Sequence, residues 1–325
     1  MNQNYLKFIR KFGKNKVLTK EPLKKHTSIK IGGPADLFFP ASTKQELIEA
    51  IIFCRQNKIP FFIFGGGSNT LLSDKGFKGV VIKNKTDQIK ILKITGNVKA
   101  KKTTIKNVYL EVDSGVLTNR LVRYCLDEGW GGLEHFLGLP GTIGGAIWGN
   151  SHYNDQLIDE NVYQIKILNT SLTTETLAKN QCGFDYNDSR FKKTNEIILS
   201  ATFILEKKDK KILWQKAESA LKKRSESQPK EPSLGCVFQN IKKSEAIMHS
   251  TPNQTQSAGY LIEVCGLKGT QIGNAKVSET HGNFIVNLND AKATDVLKLI
   301  QLVKEKVYQR FNLKLNEEIV IIKEE

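Results

Sequence analysis

Apolar residues recur at helical spacing in the first turns of the chain: Tyr5, Leu6, Phe8, Ile9 and Phe12 share one face, predicting a short helix docked on the body. The run ADLFFP then reads as a strand. Ser42 to Gln45 (STKQ) has the spacing of a capping box, opening a helix with Leu47, Ile48, Ile51 and Ile52 on one side and ending at Asn57 and Pro60. FFIF predicts the next strand and runs directly into GGGSN, Gly65 to Asn69. GVVI at 79–82 predicts another, and IKILKI with VYLEVDSG (108–115) predicts a strand pair bridged by a lysine-rich loop. Leu121, Val122, Cys125 and Leu126 form the apolar side of a helix capped by Thr118 and closed by Gly129, so Cys125 reads as a core residue.

Beyond the glycine-rich stretch GLEHFLGLPGTIGGAIWGN, strands are expected near 162–168 and 196–205. KKILWQKAESALKKRSESQPKEP reads as a helix leaving one domain for the next. A short helix around Leu261, a strand NFIVN, a helix from about Thr294 to Phe311 and a final strand EIVII follow. Val296, Ile300, Val303 and Val307 supply the buried stripe of that last helix. Helices and strands of this kind, without internal repeats, indicate an α+β fold.

With 325 residues, 39% apolar and 25% charged, the chain has the composition of a folded soluble protein large enough for two or three domains. Basic residues exceed acidic ones by 16, which raises nucleic-acid binding as an alternative. The lysines are spread along the whole chain and are not interleaved with aromatics, which favours a solvated surface that steers anionic small molecules. The five cysteines (54, 125, 182, 236, 265) form no CxxC pair, as expected in a reducing compartment without a disulfide framework or zinc site. The N-terminus has no signal-like apolar core, and no stretch approaches the about 18 apolar residues of a membrane span. A cytoplasmic protein that uses neither membrane nor nucleic acid is expected.

Two stretches invite chemistry. Gly65, Gly66 and Gly67 at a strand end let backbone amides approach a charged group, with Ser68 and Asn69 adding hydrogen bonds, as in phosphate-cradling loops. Neither a GxGxxG opening a helix nor a Walker GK[ST] is present. The second stretch carries Gly138, Gly141, Gly144, Gly145 and Gly149 among small residues. Two such loops in one chain favour a dinucleotide over a simple phosphate.

HTSIKIGGPADLFF, FGGGSNTLLSDKGFKGVVI, GLPGTIGGAIWGN, PSLGCVFQN, AGYLIEVCGLKG and LNEEIVII occur in order from about residue 26 to the end, and together resemble the UDP-N-acetylenolpyruvoylglucosamine reductase (MurB) family. The absence of a long insertion between Phe191 and Trp214 resembles its compact subgroup. The resemblance implies a two-lobed FAD-binding unit of the vanillyl-alcohol oxidase (PCMH) type at 1–83 and 84–206, and a substrate-binding domain at 207–325. It further implies that Gly65, Gly66, Gly67, Ser68 and Asn69, with Pro140, Gly141, Thr142, Gly144, Gly145 and Ala146, hold FAD. NADPH would reduce the flavin, and a hydride would pass to the enolpyruvyl ether of a UDP-sugar in peptidoglycan precursor synthesis, in an enzyme expected to act as a monomer. An FAD oxidase acting on an alcohol is the alternative on the same unit.

Hydride addition to the methylene carbon leaves negative charge on the neighbouring carbon and its carboxylate, so the reaction needs a clamp and a proton donor. The family's donor serine corresponds here to Cys236, whose thiol gives up a proton more readily than an alcohol. The family's second catalytic residue, a glutamate, corresponds to Glu318, with Glu317 as its neighbour and competitor. YRxSxF reads YNDSRF here, so Asn187 stands where relatives carry an arginine, leaving Arg190 or a lysine to supply the cation. Tyr186, Arg224, Asn240 and His281 fall in motifs on the family's substrate side.

Overall fold

A computed structural model describes residues 3–99, 102–153 and 156–322. The chain divides into two compact units, each assembled from three stretches. Unit 1 comprises 1–17, 39–66 and 82–224; unit 2 comprises 18–38, 67–81 and 225–325. These units interleave along the chain.

The elements through the glycine-rich region are α1 (Gln3–Phe12), β1 (Leu18–Pro22), β2 (Pro34–Ala41), α2 (Lys44–Gln56), β3 (Phe61–Phe64), β4 (Thr70–Leu72), β5 (Phe77–Asn84), β6 (Ile89–Lys99), β7 (Lys102–Asp113), α3 (Thr118–Glu128) and α4 (Ile143–Trp148). Unit 1 is built on an antiparallel sheet in the order Thr174–Ala178, Val162–Leu168, Ile197–Lys207, β7, β6. Val108, Leu110 and Val112 of β7 alternate inward and meet Leu121, Val122, Cys125 and Leu126 of α3 in one buried cluster. Phe8 of α1 is fully buried, edge-on to Phe39 and Phe53. The residues bridging β6 and β7, where a lysine-rich loop is expected, lie partly outside the described residues.

Three local expectations need correction. The N-cap of α2 is Thr43, one residue later than expected: its Oγ1 accepts from the Glu46 N–H at 3.1 Å, while Glu46 takes the Ser42 N–H at 2.8 Å. Both STKQ and TKQE have capping-box spacing, and the chain uses the second, one residue on. Thr118 is the first helical residue of α3 and not its cap, a place held by Leu117 without a side-chain bond. The Pro140–Ala146 segment is not all loop, because α4 starts within it, with the Thr142 hydroxyl accepting from Gly145.

In unit 2, β1 pairs antiparallel with the first part of β2. A second sheet runs Ser233–Cys236, Phe284–Asn287, Ala275–Val277, Gln271–Ile272, and β4 pairs in parallel with Val320–Ile322. The helix Ala293–Phe311 lays Val296, Ile300, Val303 and Val307 into the core of this unit, as its spacing predicts. Asp74 accepts the N–H groups of Ala293 and Thr294 (2.7 and 3.1 Å) and so caps that helix from a distant loop. Among the described residues no helix is long and apolar enough to cross a membrane.

Candidate active site

In unit 1 the two glycine-bearing segments touch through bare backbone. A Cβ on Gly66 would lie 2.5 Å from the Gly141 Cα, and one on Gly65 would lie 2.6 Å from the Thr142 Oγ1. Gly144 is as tightly set: its N–H donates to the Ser114 carbonyl at 2.7 Å, and a Cβ there would meet Ser114 at 2.9 Å. Beneath it lies a buried polar network that sequence reading missed. Asn84 donates to the Ser114 hydroxyl (2.8 Å) and accepts from the N–H and hydroxyl of Thr86, whose oxygen accepts the Gly115 N–H (3.1 Å). These polar residues are dispersed in sequence, and only the turn from β7 into α3 gathers them. Lys83 of β5 donates to the Gly65 carbonyl and lies 4.6 Å from the Phe64 ring centre. Burial, with Lys85 adding to it, lowers its ammonium pKa to about 8.

Unit 1 also gathers Tyr186, Asn187 and Arg224. Asn187 is buried in the left-handed region (φ 51°), a conformation asparagine tolerates, and hydrogen-bonds His152. The His152 ring lies 4.7 Å from that of Tyr186, and burial lowers its pKa against the raising effect of Asn187. Arg224 is buried with its guanidinium 4.2 Å from the centre of the Tyr153 ring. Arg190, the nearby candidate for that cation, forks onto Glu196 (2.9 and 2.7 Å) and reaches the Gln181 carbonyl. A lysine comes closer, since Lys192 donates to the Asn187 carbonyl.

Unit 2 places Cys236 at the end of its strand, half-buried and opposite Phe284. The segment after it is clamped from two sides. Asn283, itself buried, accepts the Phe238 N–H (2.9 Å) and donates to the Phe238 carbonyl (2.8 Å). On the other side, Glu318 donates its N–H to the Val237 carbonyl (2.8 Å), and Gln239 donates to the Asn316 carbonyl (2.9 Å). Asn69 joins the same strip, its side chain donating to the Glu318 carbonyl at 3.2 Å. Glu317 forms an ion pair with Lys304 at 2.8 Å, so the carboxylate next to Glu318 is engaged elsewhere. Asn240 and His281 have structural work: Asn240 accepts the Ala258 N–H at a helix start, and His281 Nδ1 accepts the Asn283 N–H. Burial chiefly, then Lys268, lowers the His281 pKa.

Among the described residues no protein acceptor takes the N–H of Gly66, nor those of Gly67, Ser68 and Asn69 that follow it. Side-chain-free backbone with N–H groups to spare fits a cofactor that is planar at one end and carries a diphosphate.

Residues 35–171 match the family model described as FAD binding domain, and 228–322 match that of the UDP-N-acetylenolpyruvoylglucosamine reductase C-terminal domain. A UDP-N-acetylenolpyruvoylglucosamine reductase from Clostridium botulinum (strain Hall) is 37% identical over 330 residues, covering 100% of this chain and 99% of the relative. The chain belongs to the UDP-N-acetylenolpyruvoylglucosamine reductase family. Another such reductase, from Caldicellulosiruptor bescii, is 38% identical over 94% of the chain and 91% of its own length. The crystal structure of UDP-N-acetylenolpyruvylglucosamine reductase (MurB) from Thermus caldophilus superposes with a TM-score of 0.73 at 28% identity, covering 93% of this chain and 98% of that one. This reductase is therefore an FAD-dependent oxidoreductase, with the glycine segments of unit 1 inside its FAD-binding match. The Cys236 and Glu318 segments fall inside the C-terminal-domain match.

Proposed function

We propose that the reductase converts the enolpyruvyl ether of UDP-N-acetylglucosamine to UDP-N-acetylmuramate, a step of peptidoglycan precursor synthesis, in the cytoplasm and as a monomer. Bound FAD would supply the hydride chemistry that links NADPH to the methylene carbon of the substrate. Gly65, Gly66 and Gly67, with Ser68, Asn69, Pro140, Gly141, Thr142, Gly144, Gly145 and Ala146, hold that cofactor.

The chain's own residues manage the charge and the proton. As the methylene carbon gains a hydride, the adjacent carbon and carboxylate take on enolate character. The Cys236 thiol gives its proton to that carbon, completing the C–H bond, and the thiolate is reprotonated from solvent. The Glu318 side chain is the second catalytic group, placed to act on the developing enolate. Tyr186, Asn187, Arg224, Asn240 and His281 line the substrate, with the Arg224 guanidinium suited to a diphosphate.

The observation that carries this reading is the bond from the Glu318 N–H to the Val237 carbonyl, which sets the carboxylate's residue beside the one following Cys236. Stopped-flow kinetics on variants test it. Cys236→Ala should lower substrate reduction by about 10²- to 10⁴-fold, the range of a general acid. Cys236→Ser should keep much of the rate, and flavin reduction by NADPH should persist in both. Normal turnover of the alanine variant would reduce Cys236 to a turn residue.

A further inference from the structure

Lys83 is an oddity among the buried groups of unit 1. Its ammonium is well withdrawn from water, yet among the described residues no carboxylate lies within 4.0 Å of it, and the charge acting on it is that of Lys85, two residues further along the chain and just past the end of β5. Its contacts are the Gly65 carbonyl and the Phe64 ring. A half-buried cation without a counter-ion is unfavourable unless a ligand supplies the missing charge. Such a cation here stands at the head of the glycine loop.

The peptide geometry says what it does there. In a trans peptide the carbonyl of Gly65 and the N–H of Gly66 point to opposite sides. Tying the carbonyl to Lys83 therefore turns the Gly66 N–H away from β5, and that N–H has no protein acceptor among the described residues. Gly66 has little other restraint on its peptide, because its own Cβ is absent where it meets Gly141.

We propose that Lys83 is a positioning residue for FAD: by holding the Gly65 carbonyl it aims the Gly66 N–H at the cofactor diphosphate, and the diphosphate charge, acting across the Gly65–Gly66 peptide, favours its ammonium form. The inference rests on the assignment of FAD to this domain. Lys83 touches no reacting atom in this role.

A lysine whose pKa lies near 8 without ligand is mostly charged at pH 7 and loses its proton as pH rises. An anion nearby favours the charged form, so FAD binding above that pH takes up a proton and weakens by up to about tenfold per pH unit.

The test is FAD affinity, followed by flavin fluorescence on deflavinated protein between pH 6.5 and 9.5, with riboflavin as a second ligand. For wild type, the FAD dissociation constant should rise above pH 8 while that of riboflavin, which has no phosphate, stays flat. Lys83→Met should weaken FAD about 10- to 100-fold at pH 7, the size of a lost charge-assisted bond, and abolish the pH slope. Lys83→Arg, which stays charged throughout, should restore affinity near pH 7 and also abolish the slope. Equal weakening of FAD and riboflavin by Lys83→Met, or a slope that survives in Lys83→Arg, would overturn the proposal by assigning the residue to packing or the pH effect to another group. Failure of wild type to bind FAD at all would instead remove the cofactor assignment.

Discussion

The glycine segments of unit 1 and the Cys236 strip of unit 2 are built on opposite plans. In unit 1 the working surface is made by leaving side chains out: Gly66 meets Gly141 and Gly144 meets Ser114 at distances no Cβ could occupy. In unit 2 it is made by side chains held in register, with Asn283 on one side of Phe238 and the 316–318 segment on the other. Recognition by backbone is broken by adding an atom, whereas chemistry by side chain is broken by removing one. The two regions should therefore fail differently when mutated.

The largest contrast comes from two glycines. Gly66→Ala must displace the Gly141 backbone, and the strain of about 1–3 kcal/mol should reappear as FAD affinity weakened by about 10- to 100-fold in equilibrium dialysis. Gly235→Ala, just before the thiol, meets no atom within 4 Å and pays only for its positive φ of 80°, about 1 kcal/mol. It should bind FAD like wild type and slow turnover instead. If Gly235→Ala loosened FAD, or Gly66→Ala did not, the division of labour would collapse.

Next in size is Asn283→Ala, which leaves the N–H and carbonyl of Phe238 without their partner and should lower unfolding stability by about 1–3 kcal/mol in urea titrations. With the strip loosened, substrate reduction should fall by about tenfold or more while flavin reduction by NADPH is kept. Equal loss of both half-reactions would mean that Asn283 supports the whole fold and not the strip.

The smallest effect concerns the frame of unit 1. Burial works against ionisation of Glu111, but hydrogen bonds from Lys44 and Ser200 outweigh it and hold its carboxyl below the ordinary 4.5. Because the folded value is the lower one, the stabilisation is present above about pH 4.5 and disappears as pH falls through the folded value. Thermal melts should show Glu111→Gln about 2–4 °C below wild type at pH 7 and converging with it in acid. A constant gap across pH would assign the difference to packing.

Much of this frame was legible in sequence because periodicity reports burial directly. The stripe Val296, Ile300, Val303 and Val307 and the closing Gly129 in its left-handed conformation are local signals, each read without knowledge of the fold. Glycine density works the other way. It marked the segment around Gly141 as special, yet it hid α4, since glycine carries little helical signal. The network of Asn84, Thr86 and Ser114 and the bracket made by Asn283 were not legible, because isolated polar residues become a cluster only when distant strands bring them together. The sequence offers Asn187 as the departure from the family motif, but that His152 bonds it and that Glu196 occupies Arg190 depends on tertiary placement. Glu318 and Glu317 were distinguishable only as neighbours, and the ion pair to Lys304 is what separates their surroundings.

The bond from Asn69 to the Glu318 carbonyl joins residues 249 positions apart, and β4 zips in parallel with Val320–Ile322 just beyond it. During synthesis, Asn69 leaves the ribosome long before its partner exists. The early strand must wait, and the contact that finishes it brings Glu318 with it. In this chain the strand that completes β4 also brings in the proposed catalytic carboxylate, so a nascent chain that stalls short of that strand lacks both together. Non-local closure of this kind slows folding, because the 249 positions separating the partners must be looped before the contact forms.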